Sequence, residues 1–253
     1  MYFINPFRGL RPNEEKASSV SIPSTAHLSE AIIAKHKKNN PGSYLNIFNP
    51  DYQNSKTQSE IYTKAKEQFE LMKNNSVIIK DSTKSFYIYK ISTKNHSQVG
   101  IVGTAKLSAY DNLHIRGHEE IYFERSQKRF DQIKNLNAQI GPIYVIYPDN
   151  VELTELIEKH TTLKPKYSIV ALDKCQHELW ILNKQDIVLK ISELFNTIIE
   201  STLQMGIIEL RHYQNCWNLE NTIIPTTQEQ NPIIILWWLY FQKVKRVYST
   251  TID

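Results

Sequence analysis

The stretch that decides the fold is FYIYKISTKNHSQVGIVGTAKL, residues 86–107. Its first part, from Phe86 to Ser92, is rich in aromatic and β-branched residues, and Phe86, Ile88 and Lys90 share one face of the predicted strand. Polar residues around Asn95 predict a loop. A second apolar run from Val99 to Leu107 then predicts another strand, so this stretch forms two consecutive strands.

Upstream of this pair, proline positions, capping residues and apolar spacing predict a mixture of helices and strands. Ser29 is a suitable N-cap for the first helix, and apolar residues spaced three and four apart mark the second helix as amphipathic. The expected elements are an extended strand over Phe3–Pro12, a helix over Glu30–Lys38, a strand over Ser43–Phe48, a helix over Thr57–Asn74 and a strand over Ser76–Lys80.

Downstream, strands and helices continue to alternate without an internal repeat. Gly141 and Pro142 end one helix, and Asn150 is a suitable N-cap for the next. The expected elements are a helix over His118–Lys134, a strand over Ile143–Tyr147, a helix over Val151–His160, a strand pair over Tyr167–Leu172 and His177–Leu182, and a helix over Asp186–Phe195. This alternation predicts an α/β class with a mixed α+β sheet.

Composition argues against a nucleic-acid-binding protein and against a glycine-rich phosphate loop in the second half of the chain. The 253 residues carry 30 Lys and Arg against 26 Asp and Glu, and the resulting charge of +4 does not predict nucleic-acid binding. The 41% hydrophobic content is ordinary for a soluble globular chain. Its 7 glycines compare with ~18 expected at average usage. All but one of them lie at or before Gly141, so the second half has no glycine-rich loop for a phosphate.

Cysteine usage and the N-terminal segment bear on location. Cys175 and Cys216 have no paired C-x-x-C spacing, which excludes a disulfide scaffold and a zinc ribbon and suits a reducing cytoplasm. The first residues, MYFINPFRGLRP, lack a charged segment followed by an apolar one, so we expect no signal peptide and a cytoplasmic protein.

The character of the sequence changes after Ile198. Residues 199–253 contain three of the 4 tryptophans, and Ile233 to Phe241 is an unbroken apolar run. This run is too short to span a bilayer. It could be a buried strand, although no partner follows from its sequence pattern.

Three groups of residues could carry chemistry. His118 and Glu119 begin a dense ionisable cluster that could act as an acid and a base, or could form a solvated helix face. Arg8 and Arg11 could hold a phosphate, or could be edge charges that discourage strand pairing. Cys175 and His177 suggest a thiol and a base, but they share one strand face without an orienting third group, so we interpret them as structural.

Six motifs follow one another along the chain: PFRGLRP (Pro6–Pro12), NPGSYLNIFNP (Asn40–Pro50), FYIYK (Phe86–Lys90), GIVG (Gly100–Gly103), IRGHE (Ile115–Glu119) and LNAQIGPIYVIYPD (Leu136–Asp149). As an ordered set they resemble the bacterial and archaeal domain of unknown function 1015 family over about residues 1–198. This resemblance implies a ParB/sulfiredoxin-like fold, in a superfamily that includes a free-serine kinase. It also implies a Gly-His-(His)-Arg loop that opens a helix and binds nucleotide phosphate.

The loop that the resemblance implies, A-D-G-H-H-R, is absent. In its place stands the heptad Leu-Gln-Met-Gly-Ile-Ile-Glu, residues 203–209. Suppose that A-D-G-H-H-R is encoded by GCA GAT GGG CAT CAT CGA and that the bases CT precede it. Translation that begins at those two bases reads CTG CAG ATG GGC ATC ATC GA, which gives Leu-Gln-Met-Gly-Ile-Ile-Glu. The heptad is therefore what a phase change would make of the family loop.

The residues after the heptad provide an independent check. A codon of the other phase combines the last base of one codon with the first two bases of the next. Such a codon must encode leucine at three places, whatever codons were used: His212-Tyr213, Asn215-Cys216 and Cys216-Trp217. These leucines fall four, seven and eight residues after the loop arginine, which is helical spacing. We therefore expect a frameshift between Asn196 and Ser201, with a family domain over residues 1–198 and an out-of-frame tail over 199–253 that lacks a designed fold.

Other departures of this sequence from the family pattern are consistent with an inactive copy. The family pattern H-E-x-T-R-P-x-K-x-x-D-R survives as His118, Glu119 and Arg129, but Lys128 stands in the aspartate place. A lost carboxylate removes a base or a metal ligand. The candidate site residues are then His118 and Glu119 as catalytic remnants, with Arg8, Arg11 and Arg129 as phosphate contacts.

The resemblance implies an ancestor that was a nucleotide-dependent small-molecule kinase of the serine type. It implies ATP or ADP with magnesium, and a small-molecule substrate, in intact relatives. For this chain we expect no cofactor, no metal site, no membrane contact and no nucleic-acid partner, and the sequence does not determine an oligomeric state. The alternative is a non-enzymatic nucleotide-binding regulator of the ParB partition type, for which a basic stripe with interleaved aromatics would be the sign. A third class is an interaction protein that uses the tail.

Overall fold

The computed structural model describes residues 2–22, 28–48, 57–94, 96–105, 116–117, 123–139, 143–201, 206–207 and 233–238. Its strands are β1 (Ile4–Asn5), β2 (Leu10–Pro12), β3 (Ile78–Lys80), β4 (Phe86–Ser92), β5 (Ser97–Ala105), β6 (Arg116–Gly117), β7 (Ile143–Ile146), β8 (Tyr167–Val170), β9 (Gln176–Leu182), β10 (Gly206–Ile207) and β11 (Ile233–Trp238). Its helices are α1 (Ala17–Val20), α2 (Glu30–Asn39), α3 (Leu45–Phe48), α4 (Gln58–Asn74), α5 (Phe123–Leu136), α6 (Val151–Thr161) and α7 (Gln185–Ser201), and a 3-10 turn covers Glu14–Lys16.

The described strands form a 9-stranded mixed sheet and a separate pair. The large sheet runs in the order β6-β10-β7-β11-β5-β4-β9-β8, with β1 also beside β5, while β2 pairs with β3. The neighbouring pairs β5–β4, β4–β9 and β9–β8 are antiparallel. In contrast, β10 is parallel to β6, and β11 is parallel to β7. The expectation of an α+β chain with a mixed sheet is confirmed at this level.

The apolar run after residue 232 contributes a strand to the middle of the sheet. β11 lies between β5 and β7, antiparallel to β5 and parallel to β7. Ile235, for example, is opposite Gly103 on β5 and Ile143 on β7. The two partners that its sequence pattern did not identify are therefore supplied by strands about 90 and 130 residues upstream.

One face of the sheet carries the larger hydrophobic core. Phe86 and Ile88 of β4 point to this face, as the period of two predicts. They pack with residues from α6 and α7, including Leu153 and Phe195, and the Phe195 ring lies 5.4 Å from that of Tyr147 in an edge-to-face arrangement. The opposite face of β4 therefore belongs to a different environment, which contains the candidate site.

A second core lies beneath α4. Its buried members include Ala65, Phe69 and Met72 of α4, which repeat at helical spacing and pack with Ile47 and Leu136. A capping box fixes the first turn of this helix: the Thr57 side chain accepts from the backbone N–H of Glu60 at 3.2 Å, and the Glu60 carboxylate accepts from that of Thr57 at 3.4 Å. The predicted amphipathic helix is confirmed.

Two predicted elements differ from the structure. The strand expected over Phe3–Pro12 is divided into β1 and β2, which belong to different sheets. Ser43–Phe48 was expected to be a strand, but Leu45–Phe48 is a helical turn, α3. The Gln132 side chain of α5 donates hydrogen bonds to the carbonyls of Ile47 and Phe48, both at 2.9 Å. Because these contacts satisfy the end of the turn from 84 residues away or more, tertiary packing selects the helical conformation over the local alternation.

Candidate functional site

A small cavity lies on the face of β4, β9 and β8 that is turned away from α6 and α7. Tyr89, Tyr167 and His177 line it from the three strands, and Arg11 of β2 also lines it. The register explains the grouping, because Tyr89 and Tyr167 both pair with Leu179, and His177 is two residues away along the same face of β9. The cavity volume is about 120 Å³.

Arg11 is held by a hydrogen-bonded network beside the cavity. Its Nε donates to Asp81 Oδ1 at 2.8 Å, and its Nη1 donates to the Tyr167 hydroxyl at 2.5 Å. The Tyr167 hydroxyl in turn donates to the carbonyl of Pro12. The guanidinium also lies over the Tyr167 ring, 5.8 Å from its centroid. Arg11 therefore joins β2 to β8 and has its charge balanced by Asp81.

The second carboxylate oxygen of Asp81 extends this network. Tyr87 Oη donates to Asp81 Oδ2 at 2.6 Å and accepts from the backbone N–H of Gly9 at 2.8 Å. A side chain at Gly9 would place its Cβ 2.6 Å from Tyr87 Oη, so this close approach requires glycine. The motif PFRGLRP thus carries a packing requirement at its glycine and an ion pair at its second arginine.

A chain of three side chains crosses the cavity wall. Tyr89 Oη lies 2.7 Å from His177 Nδ1, and His177 Nε2 lies 3.2 Å from both carboxylate oxygens of Asp173. Asp173 sits in the turn between β8 and β9, where it also accepts from the backbone N–H of Cys175 at 2.9 Å. The third group that sequence reasoning found missing beside His177 is therefore present, but it orients His177 toward Tyr89.

The pKa values follow from this arrangement. Burial raises the pKa of Tyr89 to about 12, and the negative charge of Asp173 acts in the same direction. Partial burial opposes ionisation of Asp173, but the hydrogen bonds from Cys175 N–H and His177 outweigh it and lower its pKa. Burial, with the hydrogen bond to Asp81, also raises the pKa of Tyr87. Tyr87 and Tyr89 are therefore neutral and Asp173 is ionised at neutral pH.

The five site residues predicted from sequence fall in different places. Arg11 lines the cavity, whereas Arg8 is exposed and its guanidinium has no partner within the described ranges. Arg129 belongs to α5, far along the chain from both. His118 and Glu119 lie outside the described residues. Of the five, Arg11 is the one that the described residues place at the cavity.

The structure does bring two of the motif segments together. β6, which is part of IRGHE, is parallel to β10, which is part of the 203–209 heptad. Gly206 is opposite Arg116 and Ile207 is opposite Gly117, the residue before His118. Both segments lie at the β6 edge of the sheet, and the cavity lies at the other end, on β8, β9 and β4.

A family model for proteins of unknown function, DUF1015, matches residues 4–214. The chain belongs to the DUF1015 family. The match confirms the resemblance and extends past residue 198 into the heptad and the residues after it. No curated protein matches the chain. No solved structure matches it either.

Two features are absent from the part of this DUF1015 chain that the structure describes. Among the described side chains, no three His, Cys, Asp or Glu residues come together in a way that would hold a metal ion. Within the same ranges, no helix combines the length and the apolar character that crossing a membrane requires.

Sequence reasoning missed Tyr89 and Tyr167 as cavity residues, and it missed Asp173 as the partner of His177. A signal for Tyr89 was present, because FYIYK alternates Phe86 and Ile88 with Tyr87 and Tyr89 and so gives the strand two apolar faces. Asp173 lies four residues before His177 across a predicted turn. Tyr167 carried no such signal, because its partner Arg11 is 156 residues away.

Proposed function

We propose that this chain is an inactive copy of a nucleotide-dependent small-molecule kinase of the serine type, altered by a frameshift ahead of its nucleotide loop. The observation that carries the proposal is the 203–209 heptad, for which codons exist that read Asp-Gly-His-His-Arg in another phase. The forced leucines downstream add helical spacing in that same phase.

The sheet topology supports the proposal. The IRGHE segment and the heptad are neighbours through the β6–β10 ladder, so a loop restored at residues 203–209 would follow β7 and β6 at one sheet edge. There, a helix N-terminus would offer N–H groups and an arginine to phosphate. His118 and Glu119, which follow Gly117 directly, would be the acid and base candidates.

The residues present do not fit a magnesium nucleotide. The phosphate loop is missing from the translated frame. Arg11, one of the three candidate phosphate contacts, is instead paired with Asp81 at 2.8 Å. An arginine whose charge is balanced by a partly buried carboxylate is a poor partner for a further anion. We therefore expect no ATP or ADP binding by this chain, and we assign no reaction step to a nucleotide.

The DNA provides the first test. We expect a one-base insertion or a two-base deletion, or an equivalent phase change, between the codons of Asn196 and Ser201, and an open frame that continues in the other phase beyond Trp217. An Ile207 codon of ATA could not be read as part of His-His in that phase, and it would overturn the frameshift.

The second test compares the chain with its present sequence, called the chain as written, with a phase-corrected chain, which is translated after the reading frame is restored. Calorimetry with MgATP and MgADP should give no binding for the first and saturable binding for the second. Transfer of labelled γ-phosphate to serine or a similar small molecule should follow the same pattern. Micromolar nucleotide binding by the chain as written would overturn the proposal. A corrected chain that binds nucleotide and DNA but transfers no phosphate would favour the ParB-type regulator.

A further inference from the structure

We propose that the cavity on β4, β9 and β8 binds a small uncharged molecule that is largely apolar and carries one hydroxyl group, whose proton is donated to Tyr89. This site is separate from the β6 edge, where the lost kinase chemistry is placed. The proposal therefore does not depend on the frameshift, and it concerns a binding capacity that this chain can have as it is translated.

The size of the cavity sets the size of the molecule. Its volume of about 120 Å³ is somewhat below the ~150 Å³ of an engineered protein cavity that takes up benzene. The cavity is also partly open to solvent, so a ligand of roughly six or seven non-hydrogen atoms can fill it with part of its surface still exposed. A nucleotide, with several times as many atoms, does not.

The walls favour an apolar body. Most of the residues that line the cavity present aliphatic or aromatic side chains, among them Ile22, Ile169, Ala171 and Leu179. Apolar walls with a few placed polar groups are typical of small-molecule sites, since burial of the ligand supplies affinity and the polar groups fix its orientation.

The charges at the cavity are already paired, which disfavours an ionic ligand. Arg11 is matched by Asp81 at 2.8 Å. Glu178 is matched by Lys90 at 3.6 Å. The Asp173 carboxylate already accepts hydrogen bonds from the N–H groups of His177 and Cys175. A charged ligand would lose its hydration without finding an unmatched partner, and the free energy of that desolvation is large.

The direction of the hydrogen bonds decides which polar group the ligand must have. The ionised Asp173 can only accept, so His177 Nε2 carries the proton between them. In the neutral imidazole, Nδ1 then accepts, and the Tyr89 hydroxyl donates to it at 2.7 Å. The Tyr89 proton is thus committed, and only its oxygen lone pairs remain. Tyr89 therefore selects a ligand with a hydrogen-bond donor.

Three probes with seven non-hydrogen atoms test this selection on the full chain. Phenol has an O–H donor, fluorobenzene has only a weak acceptor, and toluene has neither. We expect saturable calorimetric binding of phenol, about tenfold tighter than that of fluorobenzene or toluene. Benzoate should bind more weakly than phenol because it is charged. Equal binding of the three neutral probes, or tighter binding of benzoate, would overturn the proposal.

Variants then locate the site. Ala171→Trp should abolish phenol binding by filling the cavity, and Tyr89→Phe should lower phenol affinity about tenfold while leaving toluene affinity within twofold. Tyr87→Phe is the matched control: it removes a neighbouring hydroxyl that bonds Asp81 and not His177, so it should keep the preference for phenol. Circular dichroism confirms the fold of each variant. Phenol binding that survives Ala171→Trp would overturn the proposal, and the wild-type probe series decides the chemistry if a variant does not fold.

Discussion

At the β8 end of the sheet, side chains from β2, β4, β8 and β9 are joined into hydrogen-bonded chains, whereas at the β6 end the described link between two motif segments is a backbone ladder. The side-chain chains depend on particular residues, because Arg11 donates hydrogen bonds to both Asp81 and Tyr167. A backbone ladder depends much less on residue identity. A phase change that rewrites side chains can therefore leave a strand pairing in place while it removes the chemistry.

The largest expected effect is on the rate of phosphate transfer by the phase-corrected chain, and it should differ between variants at the two ends of the sheet. There, His118→Ala should lower phosphate transfer by about 10²- to 10⁴-fold, the usual loss of a general acid or base. Gln176→Ala on β9, at the other end of the sheet, should leave the rate within twofold. Radiometric measurement of kcat for both variants tests this, and equal losses would show that the chemistry is not confined to the β6 edge.

A large effect on stability is expected at the β8 end. Asp81→Ala removes the carboxylate that accepts from both the Arg11 guanidinium and the Tyr87 hydroxyl, and the side chains of Arg11 and Asp81 are only 17% and 10% exposed. The free energy of unfolding should fall by about 2–3 kcal/mol, reduced from the fully buried case by solvent screening. Urea denaturation measures it. Glu193→Gln, on an exposed position of α7, is the control and should change it by less than about 0.5 kcal/mol.

The close approach at Gly9 predicts a smaller loss. Gly9→Ala would place a Cβ 2.6 Å from Tyr87 Oη and displace the hydroxyl from Asp81, so we expect a loss of about 1–2 kcal/mol. At Gly42 an added Cβ meets nothing nearer than Val77 at 3.7 Å, so Gly42→Ala should be neutral or stabilising by up to about 1 kcal/mol. The two variants are compared by thermal unfolding; similar values for both would contradict the network around Tyr87.

The smallest effect is a pH dependence. Because the folded pKa of Tyr89 is raised to about 12 from an ordinary value of 10.0, its contribution to stability is complete below pH 10 and is lost as pH rises through 12. Urea denaturation between pH 8 and pH 11 should therefore show a fall that is smaller in Tyr89→Phe. The same slope in both proteins would mean that Tyr89 ionises equally in the folded and unfolded states.

Much of the fold followed from local patterns. Ser29 caps α2 by accepting from Ile32 N–H at 3.4 Å, and Asn150 caps α6 by accepting from Leu153 N–H at 2.9 Å, both as predicted. The strand pair β8 and β9 was also predicted, since the residues that form it are close along the chain. In these elements, the residues that determine the structure lie within one helical turn or one hairpin.

What the sequence did not reveal lies in contacts between distant segments. Whether Leu45–Phe48 is a strand or a turn of helix depends on Gln132, and whether His177 has an orienting partner depends partly on Tyr89, 88 residues away. Arg11 looked like a phosphate contact or an edge charge because neither Asp81 nor Tyr167 is near it in the chain.

By itself, the sequence determined the family, the α+β class and most helix and strand positions, because short-range periodicity and capping chemistry act over a few residues. The tertiary structure alone decided that β11 lies between β5 and β7, that Arg11 is neutralised by Asp81, and that Tyr89, His177 and Asp173 form one chain beside a cavity. The physical reason is that a buried charge or hydroxyl takes whichever partner the packing of the sheet brings within about 3 Å, and sequence spacing does not encode that distance.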